Sequence, residues 1–108
     1  MYNNTMLTVV ETPEFIASAA GIWTDEECFE FIGWIACNPD AGDVIPGTRG
    51  LRKVRWAASG RGKRGGARVI YFERRDYGLV VLLLAYAKAK YDNMRPEFLR
   101  KLKEKYNE

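Results

Sequence analysis

Three stretches decide the fold: Leu51–Ala57 (LRKVRWA), Ala67–Phe72 (ARVIYF) and Leu79–Tyr86 (LVVLLLAY). Each is a short run rich in β-branched and aromatic residues and bounded by turn formers, which is the pattern of a strand. A glycine-rich loop, Ser59–Gly66, joins the first to the second, and the polar run Arg74–Gly78 joins the second to the third. Three consecutive strands with such links make a meander. In the first, alternation sets Leu51, Lys53 and Arg55 on one face and Arg52, Val54 and Trp56 on the other. The third is almost continuously apolar and therefore reads as the most buried.

Working outward, Met6–Glu11 (MLTVVE) reads as a further strand with Leu7 and Val9 on one face. Thr12-Pro13-Glu14 then offers an N-cap, a proline at the first helical position and an acid in the first turn, with Gly21 as a stop. Thr24 and Glu27 fit a capping box, and Trp23 and Cys28 are spaced as its hydrophobic staple. That second helix should run to about Cys37, with Cys28, Phe31, Ile32 and Ile35 as its apolar stripe, and end at Asn38-Pro39. Asn38–Gly50 has the composition of turns and reads as a structured connector. Pro96–Tyr106 carries Phe98, Leu99 and Leu102 between lysines at helical spacing, an amphipathic terminal helix. The expectation is one α+β domain over residues 1–108: a four-stranded, largely antiparallel sheet with two N-terminal helices and a C-terminal helix, all on one face of the sheet. Trp34, Trp56 and Phe72 are expected in its core.

The net charge of +3 hides a segregation. Residues 1–43 hold eight acids and no Lys or Arg, whereas residues 44–72 hold eight Lys or Arg and no acid. The acids fall mainly on the helices and the cations on two strands and their loop, so one side of the molecule should face a polyanion.

Several classes are excluded by composition. With 47% hydrophobic and 13% aromatic residues the chain can build a core, so disorder is a poor reading. The longest apolar run, Leu79–Ala87, is less than half of the ~20 residues a spanning helix needs, so no membrane partner is expected. No cation precedes Arg49, which argues against a secretory leader and for the cytoplasm. Cys28 and Cys37 would sit on opposite faces of one helix, about 13 Å apart along its axis, too far for a disulfide or a shared metal. They read as buried, reduced thiols. There is no His, so zinc sites and His-assisted nucleophiles are absent, no metal or cofactor is expected, and proton transfer falls to Lys, Tyr, Asp or Glu.

Gly60-Arg61-Gly62-Lys63-Arg64-Gly65 spells a dinucleotide fingerprint, but a strand follows it instead of a helix, and Ala85 stands where an acid belongs. Lys63 precedes Arg64, not Ser or Thr, so a P-loop fails too. The better reading is a cationic loop whose backbone can approach phosphates. If the first two strands of the meander pair, Lys53, Arg55 and Arg68 converge with Arg61, Lys63 and Arg64 into a phosphate-tracking groove. Tyr71 and Tyr86 are the aromatic neighbours, suited to stack on bases or hold a proton. The plain alternative is a solvated basic surface.

The motifs Gly42–Thr48 (GDVIPGT), Gly50–Ala57 (GLRKVRWA), Gly60–Tyr71 (GRGKRGGARVIY) and Leu82–Lys88 (LLLAYAK), with the opening Val9–Phe15 (VVETPEF), resemble the HigB branch of the RelE toxin superfamily. The resemblance implies the toxin of a type II toxin-antitoxin pair that cleaves mRNA on the ribosome without a metal. A cognate antitoxin, commonly a helix-turn-helix protein, would hold it inactive. The implied chemistry is attack of a ribose 2′-hydroxyl on the neighbouring phosphodiester. Lys53 and Arg55 match the family's paired basic residues on the second strand, Arg68 the arginine opening the third, and Lys88 the basic position after the last. Tyr71 completes the catalytic candidates, with Arg52, Arg61, Lys63, Arg64 and Tyr86 as RNA-binding candidates. The tyrosine near the C-terminus of RelE enzymes has no counterpart in register, Tyr91 lying only nearby, so the base stays open between lysine and tyrosine. A lysine set among other cations gives up its proton more easily, which makes Lys53 and Lys88 candidates. Permanently charged Arg55 and Arg68 suit stabilisation of a pentacovalent phosphate. Two other functions fit the same features: a toxin of this fold that poisons DNA gyrase, and a non-catalytic RNA- or DNA-binding module.

Overall fold

The computed structural model describes residues 6–57, 66–87 and 94–106. Its elements are β1 (Thr8–Glu11), α1 (Pro13–Ala19), α2 (Asp25–Cys37), β2 (Asp43–Val44), β3 (Arg52–Trp56), β4 (Ala67–Arg74), a 3-10 turn (Arg75–Tyr77), β5 (Leu79–Tyr86) and α3 (Pro96–Glu104). The strands form one sheet in the order β1-β5-β4-β3-β2, with β1 parallel to β5 and every other pair antiparallel.

The helix starts form as their caps dictate. The buried Thr12 hydroxyl accepts from the Phe15 amide at 3.1 Å and donates to the Leu82 carbonyl at 2.8 Å, so one side chain caps α1 and ties it to β5. Thr24 and Glu27 form the reciprocal capping box of α2, at 3.1 and 3.0 Å. Trp23 and Cys28 pack together against the core beneath it.

The sheet has five strands where the sequence predicts four. The addition, β2, pairs Asp43 with Lys53 and Val44 with Arg52 inside the connector. A two-residue strand has no periodicity to detect, and the turn formers around it mask it. A second correction concerns layering, because the helices cover both faces of the sheet. On one face α1 and α2 bring Phe15, Ala19, Phe31 and Ile35 onto Val54, Val69, Tyr71, Val80, Leu82 and Ala85. On the other, α3 brings Leu99 onto Leu51, Ile70, Phe72, Val81, Leu83 and Tyr86. The central strands β4 and β5 are buried on both sides, which is why their apolar runs are nearly continuous. Each fully buried Leu or Phe stabilises the fold by about 1.5–3 kcal/mol, so both covers are needed.

Trp56 is only partly buried and packs against the first cluster, 5.6 Å from Trp23 and from Phe31, and Trp34, also partly buried, lies 6.1 Å from Phe31, so the two tryptophans expected in the core flank it instead. Phe72 is buried in the second. The thiols differ from expectation: Cys28 is half-buried and Cys37, the last residue of α2, is exposed. Among the described residues no helix is long and apolar enough to cross a membrane.

Candidate nucleic-acid interface

The register of the central strands lines up the basic residues. Arg55 of β3 lies directly opposite Arg68 of β4, and Arg68 lies opposite Tyr86 of β5, giving one row across three strands. Lys53, two residues before Arg55, shares its face and starts the adjoining row with Ile70 and Leu84. All of these project to the α3 side, since Ile70 and Tyr86 belong to that cluster. Arg55 is exposed and Lys53 half-buried, whereas Arg68 and Tyr86 are only 8% and 7% exposed. The Arg68 guanidinium reaches the Ala87 carbonyl at 3.5 Å.

Tyr86 enters the row only because β5 slips. Ile70 pairs with Leu84 but Tyr71 pairs with Leu82, leaving Leu83 as an extra residue. Leu83 and Leu84 therefore both face α3, and the alternation beyond them is inverted. Without this bulge Ala85 would point toward α3 and Tyr86 toward α1. The Ala85 amide donates to the Ser18 hydroxyl of α1 at 2.9 Å, so a helix side chain receives it at the irregularity. The entry to β4, at the same end as the row, is held by Gly66, in the left-handed region at φ 58°. A Cβ there would stand 2.7 Å from the Trp56 carbonyl oxygen, so only glycine lets the chain enter β4 this close to β3.

Two candidates are not brought to the row. Tyr71 is fully buried against α1 and α2, on the opposite face from Arg68, because the two are three residues apart on one strand. Its hydroxyl donates to the Pro39 carbonyl at 2.8 Å and accepts from the Gly42 amide at 2.9 Å, and burial pushes its pKa up. Tyr71 is thus a pin for the connector and stands apart from the row. Arg52 also faces away from Lys53 and Arg55. Its guanidinium donates to the Gly42 carbonyl at 2.7 Å and pairs with Glu73 at 3.2 Å and Asp40 at 3.6 Å. Arg61, Lys63, Arg64, Lys88 and Tyr91 lie outside the described residues.

A feature missed by sequence reasoning adjoins β2. Asp40, Val44, Gly50, Arg52, Glu73 and Arg75 line an open groove of about 660 Å³. Arg75 pairs with Glu73 at 2.6 Å and Asp40 at 3.0 Å, closing a ring of two carboxylates and two guanidiniums with Arg52. Burial raises the Glu73 pKa, while a hydrogen bond from Glu73, with the charges of Arg75 and Arg52, holds the Asp40 carboxyl low. Asp40 and Glu73 are far apart in sequence, so no local signal joins them. Among the described residues no group of three or more His, Cys, Asp or Glu is placed to hold a metal.

The row sets two like charges directly across a strand pair, an arrangement that costs roughly 0.2–1 kcal/mol in the free protein. An anion seated between them reverses that sign. Two guanidiniums, a lysine and a phenol on one face form a set able to grip a phosphodiester and move protons at it. No protein-family model matches the chain. Among solved structures, it is similar to a variant of the E. coli toxin RelE with two arginine-to-alanine substitutions, in the free state, at a TM-score of 0.60 and 11% identity over 82% of this chain and 90% of that one. The chain adopts the fold of that toxin.

Proposed function

We propose that this chain is the toxin of a type II toxin-antitoxin pair, of the HigB branch, and that it cleaves mRNA on the ribosome without a metal. The observation that carries the reading is the Arg55–Arg68–Tyr86 row, with Lys53 beside it, on a fold shared with a RelE toxin. A message strand enters along the cationic face. The 2′-hydroxyl of one ribose attacks the adjacent phosphorus, the bond to the 5′-oxygen breaks, and the products are a cyclic phosphate and a 5′-hydroxyl. Arg55 and Arg68 take up the charge that develops on the equatorial oxygens, where fixed forks act most strongly. Lys53 or Lys88 accepts the 2′-hydroxyl proton, and Tyr86 donates to the departing 5′-oxygen. Arg61, Lys63 and Arg64 hold the flanking phosphates. A cognate antitoxin, of helix-turn-helix type, restrains the toxin in the cytoplasm.

The test is induction of the chain in bacteria with mapping of mRNA 5′ ends inside translated frames, repeated with Arg68→Ala. Growth arrest with new 5′ ends, both abolished by Arg68→Ala, is the expected result. Arrest with intact messages and trapped DNA breaks would overturn it in favour of gyrase poisoning.

A further inference from the structure

A second group of cations lies at the other end of the same face. Alternate residues of β4 share a side, so Arg68, Ile70, Phe72 and Arg74 form one line toward α3, and Arg74 stands about 20 Å from Arg68 at ~3.3 Å per residue. Helix α3 carries Lys103 over the Phe72 ring, its ammonium 5.3 Å from the centroid, and that ammonium donates to the Arg49 carbonyl at 2.9 Å. Arg100, nearly one turn earlier, donates to the Gly47 carbonyl at 2.6 Å and secures the same loop. The loop is wound tightly, with positive φ at Gly47 (78°), Arg49 (62°) and Gly50 (102°). Arg49 is thus an exposed arginine kept in the left-handed region where a glycine would sit without strain. Arg74 has Asp76 at 4.0 Å and rests on the Tyr77 ring at 4.5 Å. Burial and the charges of Arg49 and Arg74 lower the Lys103 pKa, so the three cations feel one another. Crowded like charges and a strained backbone both cost free energy in the unliganded protein, and an anion bound among them offsets that cost.

We propose that Arg49, Arg74 and Lys103 form a second phosphodiester-binding site, which takes RNA backbone about 20 Å along the sheet from the Arg55–Arg68 row. The proposal rests on the RNA-directed reading above. The backbone is either the message strand continuing past the cleavage row or ribosomal RNA, and the two are separated by probe. The variant combines Arg49→Gly, which suits the left-handed turn, with Arg74→Gln and Lys103→Met, which keeps an apolar side chain over Phe72. One probe is a fluorescent 2′-O-methyl oligouridine of about 12 nucleotides, which lacks the attacking hydroxyl and is long enough to span both sites. The other is the vacant ribosome.

Three lost phosphate contacts lower the slope of log affinity against log salt by about 2, so the affinity deficit of the variant shrinks ~20-fold between about 50 and 200 mM salt. Loss on the oligonucleotide assigns the site to the message strand, and loss on ribosomes alone assigns it to ribosomal RNA. Unchanged slopes on both probes, with Arg55→Ala/Arg68→Ala weakened on either, overturn this site and leave the cleavage reading standing. A wild-type chain that binds neither probe overturns both. A charge-keeping Arg74→Lys/Lys103→Arg pair should retain the wild-type slope. If that pair behaves like the charge-removing variant, the effect is structural and the site is refuted.

Discussion

Replacing Tyr71 by Phe removes the one oxygen by which this cluster residue holds the connector, and separates a structural from a chemical role for that residue. The hydroxyl donates to the Pro39 carbonyl and accepts from the Gly42 amide, which joins the loop after α2 to β4 through groups 32 and 29 residues distant. A lost buried hydrogen bond contributes about 1 kcal/mol, and the orphaned partners raise the cost, so Tyr71→Phe should destabilise the fold by roughly 2–3 kcal/mol. For a domain of this size that lowers Tm by about 8–16 °C. Urea unfolding followed by tryptophan fluorescence gives the first number, and the midpoint should fall while the slope with denaturant stays constant. Cleavage per folded molecule should be unaltered, because the phenol faces away from Arg55 and Arg68. A Tyr71→Phe protein of wild-type stability that no longer cleaves would refute this assignment and return Tyr71 to the chemistry.

Three further perturbations follow from particular contacts. Gly66→Ala forces a side chain into a left-handed position 2.7 Å from the Trp56 carbonyl; it should cost at least ~1–2 kcal/mol, checked by thermal melting. Ser18→Ala removes the acceptor of the Ala85 amide beside the β5 irregularity, so it should cost about 1–3 kcal/mol and lower cleavage by loosening Tyr86. Hydrogen exchange at Ala85 should rise, and unchanged exchange would contradict the link. Lys105 and Tyr106 bond to Glu14 and hold its pKa near about 2, below its ordinary 4.5. A depressed carboxylate pKa stabilises the folded state above the unfolded value and loses that contribution as pH falls through the folded one. Docking of the α3 C-terminus on α1 should therefore weaken between about pH 4.5 and 2, and Glu14→Gln should remove that pH dependence, read from the Tyr106 ring signals by NMR.

The helices of the N-terminal half are legible because Thr12, Thr24 and Glu27 announce their starts by chemistry confined to one turn. Alternation in LRKVRWA sets Lys53 and Arg55 together and Arg52 apart. The same parity in ARVIYF separates Tyr71 from Arg68, a signal available in the sequence that outweighs the attraction of a phenol near cations. The side of the sheet on which α3 lies is a different matter. An apolar stripe at Leu99 and Leu102 says that the helix packs, but not against which face. The slip at Leu83 is invisible for a related reason: in Leu82-Leu83-Leu84 every residue is apolar, so no alternation exists to be broken, although it alone turns Tyr86 into the row. The Asp40–Glu73–Arg52–Arg75 ring depends on tertiary approach of β4 to the connector.

The central claim is that the row carries metal-free catalysis, and one reaction tests it most directly. Purified chain is mixed with ribosomes carrying a labelled message, with EDTA at a level that leaves the translation complexes intact, and the new ends are analysed. Cleavage that leaves a cyclic phosphate and a 5′-hydroxyl, persists in EDTA and falls by about 100-fold or more in Arg55→Ala and in Arg68→Ala is the predicted result. Cleavage abolished by EDTA in intact complexes, or undiminished in both arginine variants, would contradict it.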